Sequence, residues 1–146
     1  MPSSFTYRRR VEFADTDTAG VAHFTALFRF VEEAEHAFYR SLGGAAFEWR
    51  DAGLVGMPRV HASLDFLAPA RYGDEVEVRL RVAEKRDRSL RYETELTRAD
   101  GAARTVVARG AMTVVCATRA HGDREWRAAP LPPELADAIE PAPAPE

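Results

Sequence analysis

Hydrophobic and polar positions change period along this chain, and each change marks an element. From Phe5 to Phe13 they alternate, with Phe5, Tyr7, Arg9, Val11 and Phe13 on one face and Thr6, Arg8, Arg10 and Glu12 on the other. That period of two predicts a strand with one mostly apolar face. Asp15 to Gly20 is turn chemistry. From Phe24 to Leu42 the period becomes 3.6. Arg29, Glu32, Glu33, His36 and Arg40 fall on a narrow polar stripe, and Leu27, Phe28, Phe30, Val31, Ala34, Phe38 and Leu42 cover the rest. So broad an apolar arc predicts a helix wrapped by a sheet, stopped by Gly43 and Gly44. Ala45 to Ala52 predicts a short second helix ended by Gly53.

The second half alternates again. Val60 to Ala68 reads as a strand, with Val60, Ala62, Leu64 and Phe66 opposite His61, Ser63 and Asp65. Pro69 ends it, and Arg71 to Asp74 reads as a turn. Glu75 to Glu84 turns Val76, Val78, Leu80 and Val82 inward. Lys85 to Ser89 is a charged connection. Leu90 to Thr97 alternates through Leu90, Tyr92, Thr94 and Leu96. Asp100-Gly101 is a hairpin signal, and Ala102 to Ala117 is the last strand. Short connections imply antiparallel neighbours. The predicted fold is therefore α+β, an antiparallel sheet of about five strands around one long helix. Residues 1–130 form the domain. Residues 131–146 hold a short helix over Leu131 to Ile139 and a Pro/Ala-rich end, Pro141 to Glu146, expected to be disordered. A sheet of this kind leaves an edge to be covered. At least a dimer is expected, with the Ala102–Ala117 strand or its neighbour near the interface.

Composition narrows the classes. The hydrophobic fraction of 46% suffices for a core, and a net charge of -3 gives no basis for binding nucleic acid or an acidic membrane. Lys85 is the only lysine. The single cysteine, Cys116, rules out a disulfide framework within one chain and reads as a small buried hydrophobe. No apolar run reaches the roughly 18 residues of a membrane span, and no signal segment opens the chain, so a cytoplasmic location is expected.

The candidate chemistry sits where the first strand meets the long helix. Asp15 and Asp17 lie in a turn containing Gly20, just before a helix start, whose unpaired N–H groups and dipole favour negative charge. Asp17 either caps the helix and satisfies the turn or presents a carboxylate beside an oxyanion site. Asp15 reads as the residue that orders the turn. His23 touches substrate, orients Asp17 or merely starts the helix. Glu35 falls inside the apolar arc, either as an edge residue paired with an Arg or as a carboxylate facing a pocket or subunit interface. His61 lines a pocket or meets solvent. Lys85, Arg86 and Arg88 either hold phosphates, which suit Arg forks, or form a solvated hairpin. No metal is expected, because His23, His36, His61 and His121 include no i, i+4 pair and no Cys cluster supports them.

The string Phe13-Ala-Asp15-Thr-Asp17-Thr-Ala-Gly20-Val, followed by a long helix, resembles hotdog-fold acyl-CoA thioesterases of the 4-hydroxybenzoyl-CoA type. The block Pro58-Arg-Val-His61-Ala-Ser-Leu-Asp-Phe66-Leu-Ala-Pro69-Ala-Arg-Tyr-Gly73-Asp74 is similar to the 1,4-dihydroxy-2-naphthoyl-CoA hydrolases of the same superfamily. The resemblance spans roughly residues 5 to 118. It implies a hotdog fold, subunits that pair their sheets as a homodimer or a tetramer, and active sites at the dimer interface. Carried over by position, it implies that Asp17 is the catalytic carboxylate and that the Phe24 backbone N–H holds the thioester carbonyl. Gly20, His23, His61 and Glu35 become candidate substrate contacts, and Lys85, Arg86 and Arg88 candidate contacts to coenzyme A phosphates. His23 and Thr18 stand where the benzoyl enzyme has a tryptophan and a proline.

The function implied is hydrolysis of an aromatic or medium-sized acyl-CoA, without a cofactor beyond the coenzyme A of the substrate. The same chemistry on a carrier-protein thioester, a dehydratase pairing His23 or His61 with Asp17, and a non-catalytic acyl-thioester binding module are the rival readings.

Overall fold

In the computed structural model, which describes residues 2–144, the alternating segments assemble into two antiparallel sheets. The main sheet has the order β1-β5-β6-β7-β4, formed by β1 (Ser4–Arg10), β5 (Glu75–Lys85), β6 (Ser89–Asp100), β7 (Ala103–Val115) and β4 (Arg59–Phe66). The long helix α1 (Phe24–Ser41) packs on one face of this sheet. Ala26, Leu27, Phe30, Val31, Ala34 and Phe38 of α1 are buried against Val76, Val78, Leu80 and Val82 of β5, Leu90, Tyr92 and Leu96 of β6, and Met112 and Val114 of β7. The inward positions expected from the alternation of β5 and β6 are thus the buried ones. The outer face carries cross-strand charge pairs, including Arg81–Glu93 at 2.9 Å and Arg109–Glu95 at 2.8 Å. Exposed pairs of this kind contribute little to stability.

A second sheet has the order β2-β3-β8-β9, from β2 (Phe47–Arg50), β3 (Gly53–Gly56), β8 (Ala117–Ala120) and β9 (Arg127–Ala128). It corrects two expectations. The segment from Ala45 to Ala52 is not a helix but the first arm of a hairpin, with Phe47 opposite Gly56 and Arg50 opposite Gly53. Phe47 and Trp49 are strand-favouring aromatics in alternation with Glu48 and Arg50, and that local preference prevails. The last strand does not run unbroken through residue 117. It breaks at the buried Cys116, whose N–H donates to Arg88 O and whose carbonyl accepts from Ala129 N–H, so β8 leaves for the second sheet. The described residues therefore hold nine strands, against the expected five or so.

Two ends also differ. The first strand stops at Arg10, and a single 3-10 turn follows at Phe13–Asp15. Near the C-terminus, among the described residues, only Pro133–Ala136 is helical, as α2. Leu131, Leu135 and Ile139 are buried in the same core as α1. The Pro/Ala-rich end is anchored as far as Pro143: Ala142 N–H donates to Val82 O at 2.8 Å, and Pro143 O accepts from Arg81 Nη2. Residues 145 and 146 of that end lie outside the described residues.

The free edges of the main sheet are β1 and β4. The long β7 is interior, so the neighbour β4 is the strand left open for pairing. A bulge between Arg59 and His61 shifts its register. The bulge turns Arg59 to the α1 side, opposite Val114, and leaves Val60 61% exposed, where plain alternation would put Val60 inward. Phe66 and Leu67 are exposed at the other end of the same edge.

Candidate active site in the turn before the long helix

Where β1 ends, the chain is tied to the turn before β5. Val11 N–H donates to Asp74 O at 2.8 Å, and Gly73 N–H returns to Val11 O at 2.9 Å. Residues 15–17 then run antiparallel to 21–23, with His23 N–H donating to Asp15 O at 2.8 Å and Asp17 N–H to Val21 O at 2.9 Å. Gly20 closes the turn by donating to Asp17 O at 3.0 Å, with φ at +77°, a conformation that only glycine adopts freely. Ala22 N–H reaches Ala70 O at 2.7 Å and fixes the turn to the segment after β4.

The two acids have different surroundings. Asp15 is 2% exposed. Its Oδ2 accepts from Arg9 Nη1 and from Glu12 N–H, both at 2.8 Å, and its Oδ1 from Arg29 Nη2 at 3.0 Å. Burial works to raise its pKa, but the Glu12 N–H and the Arg9 and Arg29 guanidiniums outweigh that and hold it below the usual carboxylate range. Asp15 therefore staples β1, the turn and α1 together. Arg9 also bonds Glu33 at 2.9 Å and lies over the Phe30 ring at 4.6 Å. Asp17, in contrast, is exposed. Its Oδ1 accepts from Ala19 N–H at 2.8 Å, and its Oδ2 has no partner among the described residues.

His23 caps α1. Its Nδ1 accepts from Thr25 N–H at 3.2 Å and lies 2.7 Å from Thr25 Oγ1. A backbone N–H can only donate, so Nδ1 is the acceptor, and a neutral His23 ring carries its proton on Nε2. With His23 N-capping and Thr25 N–H satisfied, Phe24 is the first helical residue, and its N–H meets no acceptor among the described residues. The Phe24 ring is 54% exposed. It lies 4.7 Å from the His23 ring and meets Phe66 edge-on at 6.2 Å, and Phe28 meets Phe66 likewise at 6.3 Å. One short turn therefore presents a solvent-facing carboxylate oxygen, an unpaired helix N-terminal N–H and an aromatic wall.

The other candidates stand apart within one chain. His61 is exposed and paired with Thr113 on the sheet face away from α1, the side that its alternation with Ala62 and Leu64 gives it. Lys85 Nζ donates to Ala136 O and, at 2.9 Å, to Ile139 O, where it fastens the C-terminal segment. Arg86 and Arg88 are exposed and, among the described residues, pair only with their neighbours Glu84 and Asp87. They sit at the far end of β5 from the turn. Among the described residues no three His, Cys, Asp or Glu side chains converge as a metal site.

Glu35 lies 11 residues along α1 from Phe24, about 16 Å down the axis. It is 1% exposed and bonds Arg59 Nη2 at 3.1 Å, beside the buried Tyr39 and Tyr92, whose hydroxyls are 3.0 Å apart. Burial drives its carboxyl up to about 7, against the lowering pull of Arg59. A folded-state pKa above the unfolded one gives a contribution to stability that is present in full below the ordinary carboxylate range. It is lost as the pH rises through about 7. Between pH 5 and 8 this group should lower the unfolding free energy by on the order of 2 kcal/mol. The thermal midpoints of the parent and Glu35→Gln, each measured at pH 5 and pH 8, check this: the fall on going to pH 8 should shrink in the Gln variant.

Arg9, Phe28 and Phe66 did not stand out as site residues in the sequence. Arg9 had one signal: an arginine on the otherwise apolar face of β1 requires a buried partner.

The model of the thioesterase-like superfamily matches residues 11–139. The chain belongs to this superfamily, as a thioesterase of hotdog fold. It is 33% identical to a 1,4-dihydroxy-2-naphthoyl-CoA hydrolase of Synechocystis sp. over 136 residues, which cover 93% of this chain and 94% of the relative. The crystal structure of a 1,4-dihydroxy-2-naphthoyl-CoA thioesterase from Synechocystis superposes with a TM-score of 0.74 at 29% identity, covering 92% of this chain and 97% of that one. A gentisyl-coenzyme A thioesterase superposes at 0.75 and 30% identity, covering 91% and 98%. No helix among the described residues is long and apolar enough to cross a membrane.

Proposed function

We propose that the chain hydrolyses the coenzyme A thioester of an aromatic acid at the Asp17 turn. The observation that carries this reading is the pairing, in one thioesterase-family turn, of an exposed Asp17 carboxylate with the unpaired Phe24 N–H. Relatives named for dihydroxynaphthoyl and gentisyl thioesters favour an aromatic acyl group. The thioester oxygen accepts the Phe24 N–H, which stabilises the negative charge of the tetrahedral intermediate. Asp17 either takes a proton from the attacking water or attacks the carbonyl itself. In the first route hydroxide adds to the carbonyl carbon, and collapse breaks the C–S bond and releases the thiolate. In the second a mixed anhydride forms as the thiolate leaves, and water then cleaves it and restores the carboxylate.

The working unit is a homodimer paired along β4, or a tetramer of such dimers. A two-fold axis makes the paired β4 strands antiparallel. The Arg59 end of the partner's β4 then lies opposite the Phe66 end of this one. The partner's Lys85–Ser89 hairpin is at that Arg59 end, through the pairs Arg59–Val114, Leu90–Val114 and Lys85–Leu90. The same symmetry thus carries the exposed Arg86 and Arg88 of one subunit towards the Asp17 turn of the other, where they hold the phosphates of coenzyme A. Replacing both by Ala should raise KM for an acyl-CoA about tenfold with kcat unchanged, because they bind ground state and transition state alike. The same variant should leave turnover of the matching acyl-pantetheine thioester unaltered.

Thiol release across benzoyl-, hydroxybenzoyl-, dihydroxynaphthoyl- and straight-chain acyl-CoAs tests the reading. Aryl thioesters should be cleaved fastest. Hydration of crotonyl-CoA without thiol release would instead make the chain a hydratase, and tight binding without release a non-catalytic module.

A further inference from the structure

Among the described residues, the α1 side of the main sheet holds one buried side-chain polar atom without a partner. Thr94 is 5% exposed, and its Oγ1 meets no hydrogen-bond partner among the described residues. Buried hydroxyls are paired in most proteins, so an orphan in a core position asks for an explanation. Thr94 shares its face of β6 with Leu90, Tyr92 and Leu96 and stands opposite Leu80 of β5 and Gly110 of β7. A Cβ at Gly110 would meet Ser63 O at 1.7 Å, so no side chain at position 110 fills the space beside Thr94.

That space is a cavity of about 120 Å³ between α1 and the sheet, lined by Phe28, Val31, Leu64 and Met112, with Thr94 and Arg59 among its polar groups. An apolar cavity of roughly 150 Å³ takes up benzene, so this one has room for a planar ring and little more. Phe28 follows Phe24 by one helical turn, about 6 Å along the axis, and both rings meet Phe66. The cavity therefore begins one turn beyond the N–H that faces the thioester oxygen. The two arginines on its lining already have carboxylate partners, Arg59 bonding Glu35 at 3.1 Å and Arg29 bonding Asp15 at 3.0 Å, and the Glu32 carboxylate lies on the same lining.

We infer that Thr94 is a specificity-determining residue: the cavity takes the ring of the acyl group, and the Thr94 hydroxyl hydrogen-bonds a neutral ring hydroxyl. This rests on the thioesterase reading of the Asp17 turn. The substrate class narrows to hydroxylated aryl thioesters. The unsubstituted ring leaves Thr94 unpaired and binds less well.

The test compares benzoyl-CoA with its 3-hydroxy and 4-hydroxy derivatives on the parent, Thr94→Val and Thr94→Ser, reading kcat/KM. The parent should favour one hydroxylated thioester over benzoyl-CoA by roughly five- to tenfold, the worth of one neutral hydrogen bond. Thr94→Val should erase that preference, and Thr94→Ser should keep it. A preference that survives in the Val variant, an equal loss on all three substrates, or no preference in the parent overturns the inference. Calorimetric binding of benzoate and the two hydroxybenzoates to the same proteins gives a readout independent of turnover. If the parent cleaves none of the thioesters, the hydrolase reading fails. The subsite then stands if Thr94→Val removes a preference for a hydroxybenzoate, and falls if it does not.

Discussion

Asp17→Asn should fold as the parent does and lose about 10²–10⁴ in kcat on aryl-CoA thioesters, the range that a positioned acid or base contributes. The fold should survive because, among the described residues, the one hydrogen bond to the Asp17 side chain is accepted by Oδ1, from Ala19 N–H at 2.8 Å. An Asn carbonyl accepts the same bond, and neither isostere is buried. What Asn lacks is the charge and basicity of the free oxygen. Unchanged thermal midpoints together with lost thiol release would separate the chemical role from the structural one. Asp15 offers the contrast. Its carboxylate is buried against Arg9, Arg29 and the Glu12 N–H, so removing it would act on stability first.

Phe24→Pro should be the second large effect, and it isolates the oxyanion donor. Proline at the first helical position deletes an N–H that has no intrahelical partner, and its fixed φ suits the helix start. The residue before a proline must be extended, and His23 already is, at φ -62° and ψ 145°. The helix should therefore persist while the donor vanishes. Loss of the aromatic ring is a separate effect that Phe24→Ala reports alone. Relative to Phe24→Ala, the Pro variant should lose a further 10²–10³ in kcat. Equal rates in the two variants would remove the Phe24 N–H from the mechanism.

The parts of this fold that were legible in the sequence are those that repeat with one period over many residues. The arc of Leu27, Phe30, Val31, Ala34 and Phe38 marked the long helix, and Val76 to Val82 marked an inward strand face. Phe47 to Arg50 was too short a run to show its period, and its partner β3 is itself held by β8, which runs to residue 120. Glu35 could be placed inside the apolar arc, but not next to Arg59, because that pairing depends on a bulge at Val60 which alternation does not encode. Lys85 looked like part of a solvated hairpin because the carbonyls that claim it, of Ala136 and Ile139, lie some 50 residues away. At the turn itself, Asp15 and Asp17 were visible as a pair. Their separation into a buried staple and an exposed oxygen needed Arg9 and Arg29, which arrive from a strand and a helix. Thr94 could be read as inward-facing, but its missing partner follows from what α1, Gly110 and β4 leave unfilled.

The most direct test of the central claim is a single-turnover measurement, with enzyme in excess over 4-hydroxybenzoyl-CoA, following free thiol with time in the parent and in Asp17→Asn. The Asp17–Phe24 turn as catalytic centre predicts one equivalent of thiol from the parent, and bound, intact thioester in Asp17→Asn. Thiol release at the same rate in both proteins would contradict it.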